Sequence, residues 1–180
     1  MRSLHLVTAA MMLATVPMAS FAQDAADPAA AAAADVDAFA QAATQNSLTE
    51  VLMSTMALQK TTDMRVEEYA WTMLDHHARA MGDLAEALSP GAAPLPSEPS
   101  AEQAATLEEM RSLEGAQFDE AYFAHQVEAH QQAISLFEQG GQVSDEPVAQ
   151  YARNTQPILE AHLEIAQQRQ AQPSQPMPGQ

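Results

Sequence analysis

The sequence predicts an all-α fold, an up-and-down four-helix bundle with an additional short helix. Three observations carry that reading. Alanine, glutamine and glutamate are abundant, Gly numbers only 6, aromatics are 5% of the chain and β-branched residues are sparse, a balance that favours helices over strands. Apolar residues recur at spacings of three and four through four long stretches, the period of a helix with one buried face. The compact stop-and-start signal at Thr62-Asp63 makes helices one and two antiparallel neighbours.

Residues 1–22 read as a secretory signal peptide. Arg2 supplies the positive start, Leu4 to Val16 the apolar core, and Ser20 and Ala22 the small residues before a cleavage site after Ala22. The apolar run is shorter than a comfortable membrane span, so no membrane insertion is expected after cleavage, and no cysteine follows to carry a lipid anchor. The expected location is the periplasm. Residues 23–34, Ala-rich with Pro28, form an expected flexible leader, with the Ala run also able to extend a helix.

The bundle domain is predicted over residues 35–170. Asp35 caps a first helix reaching about Thr61, with Phe39, Ala42, Asn46, Glu50, Met53 and Ala57 on one stripe. The second helix, Val66 to Leu88, carries Val66, Ala70, Met73, Ala80, Leu84 and Leu88 on its stripe, and His76 and His77 interrupt it. Glu50 lies 12 residues before Thr62 and His76 lies 14 after it. At about 1.5 Å per residue both sit roughly 18–21 Å from the turn, which predicts a Glu50–His76 contact.

Four prolines, Pro90, Pro94, Pro96 and Pro99, stiffen a linker, after which Ser100-Ala101-Glu102-Gln103 is a capping box opening a short helix over Ala101–Leu113. From Ala116 the residues Phe123, Val127, His130, Ile134 and Phe137 form a third long stripe, closed by Gly140-Gly141. Ser144-Asp145-Glu146-Pro147 starts the last helix, whose stripe is Val148, Ala152, Thr155, Leu159, His162 and Ala166, with Pro157 expected to kink it. Counting residues from the turn sets His162 nearer Tyr122 than His130. Residues 171–180, with three prolines, form an expected disordered tail.

A formal net charge of -17 opposes binding to nucleic acid and to anionic lipid, solvates the helix faces and attracts cations. The absence of cysteine excludes disulfides, thiolate metal sites and cysteine nucleophiles. No phosphate loop, dinucleotide fingerprint or Gly-x-Ser-x-Gly element is present, and no catalytic residue is assigned.

The chemical content lies in ionisable groups on apolar stripes. Each long helix carries one, Glu50, His76, His130 or His162, with Asp75, Asp119 and Tyr122 close to those stripes. Inward Glu and His on facing helices are how bundles build metal sites, and such mixtures suit iron, copper or zinc. The candidate metal-ligating set is therefore Glu50, His76, Asp119, Tyr122, His130 and His162. The same groups also suffice for a buried polar network, each imidazole hydrogen-bonded to a protein group. The di-metal carboxylate pattern needs Glu-x-x-His on two helices, and none occurs; Glu128-Ala129-His130 and Glu160-Ala161-His162 do not share a face. Met73, His77 and Met81, at i, i+4 and i+8, form a second and weaker set with copper-compatible donors, more simply read as core packing.

The order Glu50, Asp75-His76, Leu113-x-Gly115-x-x-Phe118-Asp119-x-x-Tyr122, His130, Pro157 and His162 resembles the bacterial exported ferritin-like family known as domain of unknown function 4142, whose members are often labelled putative outer membrane proteins. The resemblance implies a ferritin-like helical bundle in the cell envelope and no agreed activity. The sequence has no alternating strands for a barrel. The leading expectation is a structural, envelope stress-related or interaction role for the buried polar cluster. The alternative is a ferritin-like metal-binding protein holding iron, copper or zinc.

Overall fold

The computed structural model describes residues 28–172. The expected signal peptide over residues 1–22, residues 23–27 of the expected leader and residues 173–180 of the expected tail lie outside the described residues. Those described form five helices: α1 (Pro28–Lys60), α2 (Met64–Ala87), α3 (Ala101–Arg111), α4 (Gly115–Gly140) and α5 (Glu146–Gln170). None is long and apolar enough to cross a membrane.

Local chemistry sets the boundaries. Within the expected leader, residues 28–34 are helical: α1 starts at Pro28, ahead of Asp35, as the Ala run allows. Proline is pre-organised for the first helical position, and the alanines after it are the best helix formers. Asp63 caps α2 by accepting the Arg65 N–H. The capping box of α3 is complete, the Ser100 hydroxyl accepting from the Gln103 N–H and the Gln103 side chain accepting from the Ser100 N–H. Lys60 Nζ then donates to the carbonyls of Arg111 (2.9 Å) and Leu113 (2.8 Å), covering the exposed end of α3. Gly115, at φ 55, supplies the left-handed step that separates α3 from α4. Asp145, rather than Ser144, caps α5 by accepting the Val148 N–H.

Helices α1 and α2 form one antiparallel hairpin, and α4 and α5 another. The hairpins dock so that α1 lies against α4, with Phe39 beside Phe137, Glu50 beside Gln126 and Ser54 beside Tyr122. Those pairings run in opposite directions along the two chains, so α1 and α4 are antiparallel. Helix α2 is antiparallel to α5 in the same way, from Ser89 with Asp145 to Arg65 with Arg169. The connection carrying α3 must therefore travel the length of the bundle, passing Asp37 at Ala93 and Asn46 at Gln103 before reaching Lys60. It makes α4 parallel to its diagonal neighbour α2.

Apolar side chains gather in two cores. One lies towards the α1–α2 turn and contains Met53, Tyr69, Met73, Phe118, Tyr122 and Phe123. The other lies towards the opposite end and contains Phe39, Leu84, Phe137, Val148, Tyr151 and Leu159. Between them runs a buried polar layer: Ser47 and Glu50 on α1, His77 on α2, Gln126 and His130 on α4, and His162 on α5.

The far core leaves no room at Gly140. A Cβ there would meet Phe39 Cε2 at 2.3 Å and two further ring carbons at 2.6 Å. Phe39 cannot yield easily, because its ring stands edge-on to Phe137 at 5.3 Å. Gly140→Ala is expected to cost about 1–3 kcal/mol through overpacking, read as a lowered urea midpoint. Gly82→Ala, with nothing within 4 Å of the added carbon, is the matched control.

Candidate metal centre

Three imidazoles meet in the polar layer. His77, His130 and His162 are all buried, and one nitrogen of each lies within 4.8 Å of the others. The α2 stripe explains the first. Val66, Ala70, Met73, His77 and Leu84 are its buried positions, so His77 is the inward member of the His-His pair. His76, about 100° further round the helix, is exposed at the edge of α2. The predicted Glu50–His76 contact does not form. The two helices do match in level, since His77 Nδ1 lies 3.5 Å from Ser47 Oγ, but the face was misassigned.

The expected distance between His130 and His162 is also corrected. His130 Nε2 and His162 Nδ1 are 3.3 Å apart. Phe137 packs on Tyr151, so the antiparallel register sets position 158 opposite His130. His162 is thus about 6 Å away along the axis. Side chains on a helix lean towards its N-terminus, and in an antiparallel pair these two lean towards each other.

Hydrogen bonding orders the protons. His130 Nδ1 lies 2.9 Å from the Gln126 carbonyl, which can only accept, so Nδ1 carries the hydrogen. Burial pushes the His130 imidazole down to about 4, so it is neutral and Nε2 is a lone pair. His162 Nδ1 therefore donates to it, leaving His162 Nε2 to accept from His76 Nδ1 at 2.8 Å. Burial, reinforced by the neighbouring His130 and His76, lowers His162 to about 3. His77 is pushed well below its ordinary value by burial first and the other histidines second, and its Nε2 has no hydrogen-bond partner.

The remaining candidate residues lie apart from the three imidazoles. Glu50 accepts from Gln126 Nε2 at 2.6 Å, and Gln126 in turn holds His130 through its carbonyl. Burial raises its carboxyl above the ordinary range, against the opposing pull of His125 and of the Gln126 hydrogen bond. Tyr122 sits in the other core with its hydroxyl 3.3 Å from Ser54 Oγ. Asp119 lies nearer the α1–α2 turn, in the field of Asp63 and Arg65, and burial raises its carboxyl. On α4 these two are roughly 12 and 16 Å along the axis from His130. The copper-compatible trio divides as well: Met73 is fully buried in the apolar core, Met81 is half-buried, and His77 joins the imidazoles. His77 could have been placed from sequence, because steps of four, three, four and seven connect it to Val66, Ala70, Met73 and Leu84 without a break.

Two clefts reach this layer. One, of about 210 Å³ between α1, α2 and α5, is mostly apolar and is lined by His76, His77 and His162. The other, of about 380 Å³ between α1, α3 and α4, is polar and is lined by Glu50, His77, His125 and His130. His77 and Asn46 line both.

Neutral buried histidines make stability pH-dependent. Unfolded histidine binds a proton near pH 6.5, folded His130 only near 4, so the unfolded chain binds more protons in between and stability falls as pH falls through that window. For His130 the loss approaches about 3 kcal/mol by pH 4. Glu50 acts in the opposite sense, its stabilisation being present below the unfolded carboxylate value and lost as pH rises through the elevated folded one. Urea midpoints of metal-free protein should therefore drop from pH 7 to 4. The drop should be smaller in His130→Gln; equal slopes would contradict the assignment.

No curated protein and no solved structure matches the chain. A family model does, over residues 21–168, the greater part of its length. This histidine-layered helical bundle belongs to the family described as a domain of unknown function (DUF4142).

Proposed function

We propose that the protein binds one transition-metal ion through His77, His130 and His162. The observation that carries this reading is three buried imidazoles from three helices, one of them with an unpartnered nitrogen, converging within 4.8 Å. Nitrogens on a common tetrahedral zinc lie about 3.3 Å apart, given Zn–N distances of about 2.0–2.1 Å. The His130–His162 pair already has that spacing, and the His77 nitrogen lies within 4.8 Å of both. The Gln126 carbonyl on His130 Nδ1 is the outer partner that orients a ligating histidine, and His76 becomes one for His162 once the His162 proton moves from Nδ1 to Nε2 to free the ligating nitrogen.

An all-imidazole set suits zinc or copper(II) better than iron, whose bundle sites rely on carboxylates. The single long crossover is the connectivity of ferritin-like folds. That supports the ferritin-like assignment while the donor set argues for a mononuclear centre. Export, inferred from the first 22 residues, puts metal capture in the periplasm, testable by cell fractionation.

A purely structural role is favoured by one observation. The His76–His162–His130–Gln126 chain satisfies most of these nitrogens with protein groups alone. Elemental analysis after challenge with Zn²⁺ or Cu²⁺ and desalting separates the two. About one ion per chain supports the metal centre; no retained ion supports the structural role. Glu50→Gln should retain the ion, because Glu50 lies outside the three-histidine set.

A further inference from the structure

We infer that the polar cleft between α1, α3 and α4 is the route by which a divalent cation reaches the buried imidazoles. The inference depends on that centre taking up an ion, and it concerns how the ion arrives. Glu102, Glu109 and Glu128 are exposed and line the cleft. None of them pairs with a basic side chain. The described lysine and arginines, Lys60, Arg65, Arg79, Arg111, Arg153 and Arg169, are all engaged in ion pairs elsewhere. No lysine or arginine therefore offsets the cleft's negative charge, and low-dielectric walls concentrate its field on an approaching cation.

A cluster of surface carboxylates alone would mean little in so acidic a chain. Here the same cleft is also lined by His77, which is 6% exposed and whose Nε2 lacks a partner, and by His130, whose Nε2 lone pair faces the centre. Glu50, itself buried, lines the same cleft and offers an oxygen donor for a partly dehydrated ion. The opposite cleft lacks this character: it is mostly apolar, and its one lining carboxylate, Asp83, shares the wall with Arg79.

The test is stopped-flow uptake of Cu²⁺, read by quenching of Trp71, the sole tryptophan, which sits on the same helix as His77. The variant Glu102→Gln/Glu109→Gln/Glu128→Gln is compared with Glu120→Gln/Glu138→Gln/Glu160→Gln, which removes the same charge from exposed positions outside the cleft. The cleft triple should slow association by about 5–10-fold at low salt and flatten its salt dependence, whereas the control triple should change it less than about twofold. Both should bind the same final amount of copper. Arg79→Glu should leave the rate within about twofold of the parent. Equal slowing by both triples, no slowing by either, or marked acceleration by Arg79→Glu overturns the route and leaves the metal centre standing. A parent protein that retains neither copper nor zinc overturns both.

Discussion

His162→Ala is expected to weaken Zn²⁺ or Cu²⁺ binding by more than about 100-fold, the largest functional effect of any single substitution in the layer. His162 is the residue on which the others converge. Its Nδ1 faces His130 at 3.3 Å, its Nε2 faces His76 at 2.8 Å, and its ring centroid lies 5.6 Å from that of His77. Removing it deletes one ligand and the partner that holds a second. His76→Ala should cost less, about 10–100-fold, as expected of a residue that orients a ligand without being one. Isothermal titration of both variants distinguishes the cases, with urea denaturation in chelator confirming that each folds. A His76 loss as large as that of His162 would instead make His76 a ligand.

The largest effect on stability should come from Asp63→Ala, at about 3–5 kcal/mol. Against a total near 5–15 kcal/mol for a domain, that is a large share. Asp63 caps α2, accepts a forked hydrogen bond from the Arg65 Nε–H with each carboxylate oxygen at 3.0 Å, and pairs with the same guanidinium at 2.5 Å, both side chains being buried. Arg65 in turn donates to the carbonyls of Arg169 and Gln172 and lies over the Phe123 ring. Without Asp63 a buried cation loses its countercharge, and the end of α5 loses its anchor. Adding Arg65→Met should recover part of the loss, since an apolar replacement removes the stranded charge. The missing cap leaves about 1 kcal/mol unrecovered. Urea midpoints of the two single variants and the double complete the cycle.

The helices were legible in the sequence because their signals are local. The Asp63 cap, the capping box at Ser100, Gly115 and the Gly140-Gly141 stop act within a few residues of where they stand. The layer's composition was partly legible too, since His130 and His162 occupy stripe positions. What failed were inferences across helices. Choosing His76 over His77 requires the face of α2 to within one residue, or about 100°. Pairing His162 with His130 requires the lean of side chains as well as the count of residues. Asp119 and Tyr122 share the buried side of α4 with His130, and only axial distance separates them from it. Fold class follows from periodicity, whereas a site is a set of distances, and sequence spacing constrains those only along one helix.

The crossover beside α1 has a consequence for assembly. Each hairpin closes through a short loop and can form from contacts near in sequence, whereas hairpin-to-hairpin contacts wait until the long connection has been laid down. The three histidines are divided by that boundary: His77 belongs to the first hairpin, His130 and His162 to the second. Neither half alone holds the full set. An ion at the centre therefore adds its binding free energy to the docking of the halves, acting as a clasp whose strength rises with free metal concentration.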